Sequence, residues 1–142
     1  MWFKAITVIS ALIFIALIVV GCSKAGYNKT GDLKRIGFEK ASEMINSENP
    51  PVVVDVRTPE EFNNELGHIP GSRLIPMQIT ADSISVYEQF KDREILLVCR
   101  SGRRSGIVGD ELVAAGFQNV YNLEGGMKGW NSNKGQIKRD VR

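Results

Sequence analysis

Residues 95–105 read ILLVCRSGRRS, and this stretch decides how the rest of the chain is interpreted. Its first four residues have no polar side chain, which is typical of a strand buried on both faces of a parallel sheet. Apolar positions then recur at helical spacing over 105–115, and Gly116 follows as a helix stop signal. Cys99 therefore lies at the point where a buried strand is followed by a helix.

The rest of the chain repeats this alternation of strand and helix patterns. Further strands are predicted over 52–56 (VVVDV), 74–75 and 120–123. Helices are predicted from Phe38 as far as the prolines at 50 and 51, from Thr58 to about Leu66, where TPEE has the form of a capping box, and weakly over 80–90. This order predicts an α/β fold with an open, mostly parallel sheet that is flanked by helices on both faces.

The N-terminal segment has the layout of an export signal, with a basic start at Lys4 and 17 apolar residues among the first 21. The apolar stretch 5–20 would span about 24 Å as a helix, less than the roughly 30 Å of a bilayer core. It ends in VVGC, which resembles the lipobox of bacterial lipoproteins with Val19 in place of the usual Leu. The resemblance implies lipidation of Cys22 and a domain on the extracytoplasmic side of a bacterial membrane. The alternative is an uncleaved anchor.

These patterns divide the chain into four parts. Residues 1–21 are the predicted signal peptide, and 22–33 lack apolar periodicity and are predicted to be a flexible linker. Residues 34–131 form the predicted domain. The tail 132–142 has four basic residues and one acidic residue, and it is predicted to be solvated and frayed.

Composition excludes several classes of function. The chain has 142 residues, with 18 Lys and Arg against 16 Asp and Glu, so no large field of one sign is available to hold nucleic acid. No group of His, Cys and carboxylates has the spacing of a metal site, and no dinucleotide fingerprint is present, so no cofactor is predicted. With Cys22 lipidated, Cys99 is the one remaining thiol and a disulfide framework is impossible.

The chemistry is predicted to concentrate at Cys99. Ligands of open α/β sheets bind at the carboxyl ends of strands, which is where this residue lies. The following loop leads into a helix, so its backbone N–H groups can point at an anion, and Gly102 permits the tight curl. A helix N-terminus and three guanidiniums (Arg100, Arg103, Arg104) favour the thiolate and predict a lowered pKa for Cys99. The alternative is a small buried apolar side chain.

A phosphatase that forms a phosphocysteine has a related arrangement, in which Cys is followed by five residues and then Arg. Counted from Cys99, that Arg would stand at position 105, which is Ser105, and Arg104 comes one residue early. The loop is therefore one residue shorter than the phosphatase type.

Four motifs in order, DVRTPEEF, GHIPGS, CRSGRRS and EGGMKGW, resemble those of a single-domain rhodanese over residues 34–131. The resemblance implies a sulfurtransferase: Cys99 would take a sulfane sulfur from a small anionic donor such as thiosulfate and hold it as a persulfide, which a thiol or cyanide then removes. It also implies that the loop amides surround the persulfide, and that a six-residue loop handles sulfur while seven-residue relatives handle phosphate or arsenate.

The resemblance assigns the remaining candidate residues. The substrate-binding loop consists of Arg100, Ser101, Gly102, Arg103, Arg104 and Ser105. Among its arginines, Arg104 and then Arg100 are the first candidates for binding the donor. Asp55 and Arg57 of the DVR motif are predicted to support the loop, and His68 is predicted to make a turn contact instead of serving as a base. A non-catalytic binding module is the main alternative, and a phosphatase or arsenate reductase fits the short loop less well.

Overall fold

The structure is a computed structural model, described here for residues 31–82 and 84–140. The predicted signal peptide and the lipidation site Cys22 lie outside the described residues, as does most of the predicted linker. Within the described ranges, no helix has the length and apolar character needed to cross a membrane.

A five-stranded parallel sheet organises the domain, as the sequence predicts. Its strands are β1 (Lys34–Ile36), β2 (Val52–Asp55), β3 (Arg73–Leu74), β4 (Ile95–Val98) and β5 (Val120–Leu123). Their spatial order is β1-β5-β4-β2-β3, so β4 is the central strand and all four of its residues are buried. Cys99 directly follows the carboxyl end of this central strand.

Helices connect the strands and cover both faces of the sheet. They are α1 (Phe38–Ile45), α2 (Pro59–Phe62), α3 (Met77–Asp82), a 3₁₀ helix (Ile84–Phe90), α4 (Arg103–Ala114) and α5 (Gly126–Ser132). The capping box at Thr58 is present, but α2 ends at Phe62, before the predicted end. The weak pattern over 80–90 corresponds to two short helical segments, and α4 begins two residues before the predicted start.

Two apolar clusters lie on opposite sides of the sheet. Alternation along β4 places Leu97 in one cluster, with helix residues such as Val108, and Leu96 in the other, with Trp130. This follows from the two-residue period of a strand, which sends successive side chains to opposite faces. Both faces need helical cover, which explains why β2 and β4 are almost continuously apolar.

The tail was predicted to be frayed, but the described part of it, which ends at Asp140, is packed against the domain. The backbone of Lys138 exchanges two hydrogen bonds with that of His68, at 2.9 and 2.8 Å. The indole Nε1 of Trp130 donates to the Gln136 carbonyl oxygen at 2.8 Å. The folded domain therefore extends beyond the predicted boundary at residue 131, because backbone and aromatic contacts hold the polar tail in place.

Candidate active site

The Cys99 loop, residues 99–105, curls around the sulfur of its first residue. The amide of Gly102 donates to Sγ of Cys99 at 3.1 Å, and Oγ of Ser105 lies 3.3 Å from the same sulfur. Gly102 has φ +90°, in the left-handed region, and a Cβ there would lie 3.0 Å from the Leu123 carbonyl oxygen. Glycine is therefore required at this position for the loop to close on the sulfur.

Helix α5 holds the back of the Cys99 loop. The amides of Met127 and Lys128 donate to the carbonyl oxygens of Cys99 and Arg100, at 2.8 and 3.0 Å. Because these carbonyls are directed at the start of α5, the loop can present N–H groups to the sulfur. Gly126 makes the approach possible, since it has φ +53° and a Cβ there would lie 2.3 Å from the Cys99 carbonyl oxygen. The EGGMKGW motif therefore supports the loop, which the sequence analysis did not predict, although two glycines before a helix were a signal of close backbone approach.

The pKa of Cys99 is lowered, in the predicted direction. Burial of the side chain, which is 1% exposed, raises the pKa of the thiol. Hydrogen bonds from the Ser105 hydroxyl and from the amides of Ser105, Ser101 and Gly102 outweigh that effect and bring the pKa below its ordinary value. The main cause is thus the hydrogen-bonding loop, and not the three guanidiniums that the sequence analysis emphasised.

Arg104 is engaged by a partner that the sequence analysis missed. Its Nη1 and Nη2 atoms each donate to one carboxylate oxygen of Glu61, both at 2.7 Å, and both side chains are partly buried. Hydrogen bonding from Arg104 lowers the pKa of Glu61, while Glu61 and the Cys99 sulfur both raise the pKa of Arg104. Arg104 therefore contributes positive charge near the sulfur, and two of its five N–H groups are bonded to Glu61.

Arg100 and Arg103 have exposed side chains on the rim of the Cys99 loop. Neither forms an ion pair with another residue in the part of the chain that the structure describes. Their guanidiniums therefore have free N–H donors for an approaching anion, whereas two N–H groups of Arg104 are already bonded to Glu61.

Asp55 and Arg57 form a fully buried ion pair at the end of β2. Nε of Arg57 donates to Oδ1 at 2.9 Å and Nη2 donates to Oδ2 at 2.7 Å. The same guanidinium donates to the carbonyl oxygens of Glu61 and Gly67, at 2.9 and 2.7 Å. The pair thereby ties β2 to α2 and to the turn before His68, which is a set of structural contacts.

His68 is buried in that turn. Its ring stacks on the ring of Phe62 with centroids 3.7 Å apart, and its Nδ1 lies 3.1 Å from the Phe62 carbonyl oxygen. These contacts, together with the backbone pairing to Lys138, give His68 the turn contact that the sequence analysis predicted.

Asn122 was not predicted to belong to the site. Its side chain is 4% exposed, and it contacts both Gly102 and Ser105 of the Cys99 loop. A polar residue within the otherwise apolar pattern of a buried strand was the available signal, because a buried amide requires hydrogen-bond partners.

Comparison with known proteins decides the family. Residues 38–133 match the family model described as a Rhodanese-like domain. The chain belongs to the rhodanese family. This rhodanese-like domain spans the sheet from α1 onward and includes the Cys99 loop with both of its supports, α5 and Asn122.

The relatives of this rhodanese-like domain include named enzymes. The chain is 37% identical over 99 residues to the thiosulfate sulfurtransferase GlpE of Stutzerimonas stutzeri, covering 70% of this chain and 85% of that protein. It is 34% identical over 123 residues to the uncharacterized protein YibN of Escherichia coli K12, covering 86% and 84% of the two chains. A crystal structure of a rhodanese-like domain protein from Staphylococcus aureus has a TM-score of 0.63 and 34% identity, and the match covers 75% of this chain and 99% of that one.

Proposed function

We propose that this protein is a sulfurtransferase that moves a sulfane sulfur from a small anionic donor, such as thiosulfate, to a thiol or cyanide acceptor. The observation that carries the proposal is the convergence of the Gly102 amide and the Ser105 hydroxyl on the buried sulfur of Cys99, at 3.1 and 3.3 Å. Such donors stabilise an anionic sulfur, which is the state that the reaction needs at both of its stages. The similarity to a thiosulfate sulfurtransferase supports the same reaction class.

The first stage transfers sulfur to the enzyme. The Cys99 thiolate attacks the outer sulfur of thiosulfate, the S–S bond of thiosulfate breaks, and sulfite leaves with the bonding electron pair. The product is a persulfide on Cys99. A lowered thiol pKa raises the fraction of thiolate at neutral pH and thus the rate of this stage.

The second stage releases the sulfur. An acceptor thiolate attacks the terminal sulfur of the persulfide, the persulfide S–S bond breaks, and Cys99 leaves as a thiolate. Cyanide reacts in the same way and gives thiocyanate. A thiol of low pKa is a good leaving group, so the same hydrogen bonds assist both stages.

Charge and burial suit a small anionic donor. Cys99 is 1% exposed, which favours a small reactant at its sulfur. Arg100 and Arg103 are exposed on the rim and provide positive charge where a doubly charged donor would enter. The net charge of the whole chain is only +2, so this attraction is local.

Intact-mass measurement tests the proposal. A soluble form that begins at Ser23 is exposed to thiosulfate, in parallel with Cys99→Ser. We expect the first protein to gain the mass of one sulfur atom and to lose it again to cyanide, while Cys99→Ser stays unchanged. If both proteins stay unmodified with every sulfane donor, the binding-module interpretation replaces this one. Hydrolysis of phosphate esters would instead indicate a phosphatase.

We further propose that the protein is exported and held at a bacterial membrane by a lipid on Cys22. The apolar segment 5–20 and the VVGC sequence support this location. Labelling of cells with a fatty-acid probe tests it: the wild-type protein is expected to take up the probe and to migrate as a shortened chain. Cys22→Ala should do neither, and label on that variant would contradict the proposal.

A further inference from the structure

Asn122 bridges two positions of the Cys99 loop with its buried side chain. Its Nδ2 donates to the Gly102 carbonyl oxygen at 3.0 Å, and its Oδ1 lies 2.6 Å from Oγ of Ser105. Asn122 therefore contacts two of the residues that donate hydrogen bonds to the Cys99 sulfur.

The donor in each contact follows from chemistry. The Gly102 carbonyl can only accept, so the NH₂ group of Asn122 faces it and Oδ1 faces Ser105. An amide oxygen has no proton, so the proton in the 2.6 Å contact belongs to the Ser105 hydroxyl. That hydroxyl has one proton, yet its oxygen also lies 3.3 Å from Sγ of Cys99. Two acceptors therefore compete for a single hydroxyl proton.

We propose that Asn122 is a positioning residue for the Ser105 hydroxyl. Its Oδ1 accepts the hydrogen bond of that hydroxyl while Cys99 is a thiol, and the hydroxyl donates to the sulfur instead when Cys99 is anionic. In the thiol state, S–H donates to a lone pair of Ser105 Oγ, and the hydroxyl donates to Asn122. In the thiolate state, the hydroxyl rotates and donates to Sγ. The hydroxyl proton stays on Ser105 throughout. The inference builds on the proposed sulfurtransferase function, in which Cys99 becomes anionic as nucleophile and again as leaving group.

This competition predicts the direction in which the pKa of Cys99 changes when Asn122 is replaced. The hydrogen bond from Ser105 to the thiolate forms at the expense of the one to Asn122. Removing the acceptor at position 122 should therefore lower the pKa of Cys99 further, by about half to one unit, the equivalent of one ordinary hydrogen bond. If Asn122 merely held the loop together, its loss would loosen the loop and raise the pKa towards that of a free cysteine.

Other charges near the loop stay constant in this comparison. Apart from the two exposed arginines of the loop, the elements around the loop carry the charged residues Asp55, Arg57, Glu60, Glu61, Arg104, Asp110, Glu111, Glu124 and Lys128. None is altered in the variants below. A difference in pKa between variants therefore reports on the Ser105 hydroxyl and its partner.

A double-mutant cycle tests the proposal on the full chain purified in detergent. The pKa of Cys99 is taken from the pH dependence of iodoacetamide alkylation, followed by mass spectrometry on the peptide that contains Cys99. We expect Asn122→Val to lower the pKa when Ser105 is present and to leave it unchanged in the Ser105→Ala background. A raised or unchanged pKa in Asn122→Val, or the same shift in both backgrounds, would overturn the proposal.

Two further variants keep the test interpretable. Thr80→Val removes another buried hydroxyl, which lies 3.0 Å from the Tyr87 hydroxyl, and it should leave the pKa of Cys99 unchanged. If Asn122→Val does not fold, Asn122→Thr replaces it in the test. The threonine hydroxyl is attached one atom nearer the backbone than Oδ1 of Asn122, so it should not reach Ser105, and the same decrease in the pKa of Cys99 is expected. Alkylation requires no sulfur transfer, so failure of thiosulfate to load Cys99 would count against the proposed function and leave this result intact.

Discussion

Both Nη atoms of Arg104 lie 2.7 Å from the carboxylate oxygens of Glu61, although the two residues are 43 positions apart in the chain. Glu61 also closes the capping box of α2, where it accepts from the Thr58 amide at 3.3 Å. One carboxylate thus joins the start of α2 to the start of α4, the helix that follows the Cys99 loop. The ion pair holds a guanidinium beside the sulfur and uses one N–H group of each of its Nη atoms.

Glu61→Gln should weaken the dependence of stability on acid pH. Hydrogen bonding from Arg104 lowers the pKa of Glu61 below its usual value of 4.5, so the folded state favours the ionised carboxyl. The stabilisation is complete above the unfolded-state pKa and is lost as the pH falls through the lower folded-state pKa. Urea midpoints at pH 7 and pH 3 should therefore differ less in Glu61→Gln than in the wild type. The exposed residue Glu48 offers a control, and an equal change in Glu48→Gln would contradict the assignment.

Asp55→Asn should destabilise the whole domain by about 3–5 kcal/mol, because it leaves the fully buried guanidinium of Arg57 without a counter-charge. Urea denaturation monitored by Trp fluorescence measures the change. Arg35→Ala is the matched control, since the pair with Asp110 is half exposed and has an N–O distance of 3.6 Å. That control should change stability by less than about 1 kcal/mol. Similar losses in the two variants would contradict a structural role for the buried pair.

Gly126→Ala should greatly lower the rate of sulfur loading at Cys99 while the domain still folds. The new Cβ would lie 2.3 Å from the Cys99 carbonyl oxygen and 2.7 Å from the Ser101 amide, so the loop must move. Displacement of catalytic groups by about 1 Å lowers rates by about a hundredfold, and sulfur loading from thiosulfate should fall on this scale. Gly116→Ala is the control: its φ is +93°, but no atom lies within 4 Å of the new Cβ. It should lose stability and keep its loading rate.

The long apolar runs and capping signals of the sequence predicted most of the fold. The strands β2 and β4 are recognisable because burial on both faces requires continuous apolar side chains. The edge strand β1, with the sequence KRI, is not, because its pairing with β5 consists of backbone contacts to a distant segment. The pairing of the tail with His68 was not predicted either, because it also consists of backbone contacts between distant segments.

The sequence predicted those features of the candidate site that depend on neighbouring residues. The position of Cys99 between strand and helix and the curl at Gly102 are encoded in adjacent residues. The contacts of Glu61 with Arg104, and of Asn122 with Ser105, join residues 43 and 17 positions apart. No local pattern specifies such pairs, so neither the carboxylate partner of Arg104 nor the amide partner of Ser105 was predictable from the sequence.

Ser105→Ala should raise the midpoint of the pH dependence of Cys99 alkylation. The Ser105 hydroxyl is the largest contributor among the hydrogen bonds that lower the pKa of this thiol, and its removal leaves burial opposed by backbone amides alone. The midpoint should move up by about half to one unit. Ser101→Ala keeps its backbone amide and should leave the midpoint in place. A larger shift in Ser101→Ala would show that side chains on the rim, and not Ser105, control the thiol.

The combined variant Arg100→Gln, Arg103→Gln should slow sulfur loading from thiosulfate without affecting the thiol itself. The two exposed guanidiniums attract a doubly charged donor, so at low ionic strength the loading rate should fall by about tenfold or more. The difference from the wild type should shrink as salt screens the exposed charges. The combined variant Lys34→Gln, Arg35→Gln, which removes two exposed charges on the edge strand, is the control for net charge. Alkylation by neutral iodoacetamide should proceed at the wild-type rate in both variants, and a parallel loss of alkylation would show that the arginines act on the Cys99 sulfur instead of on the donor.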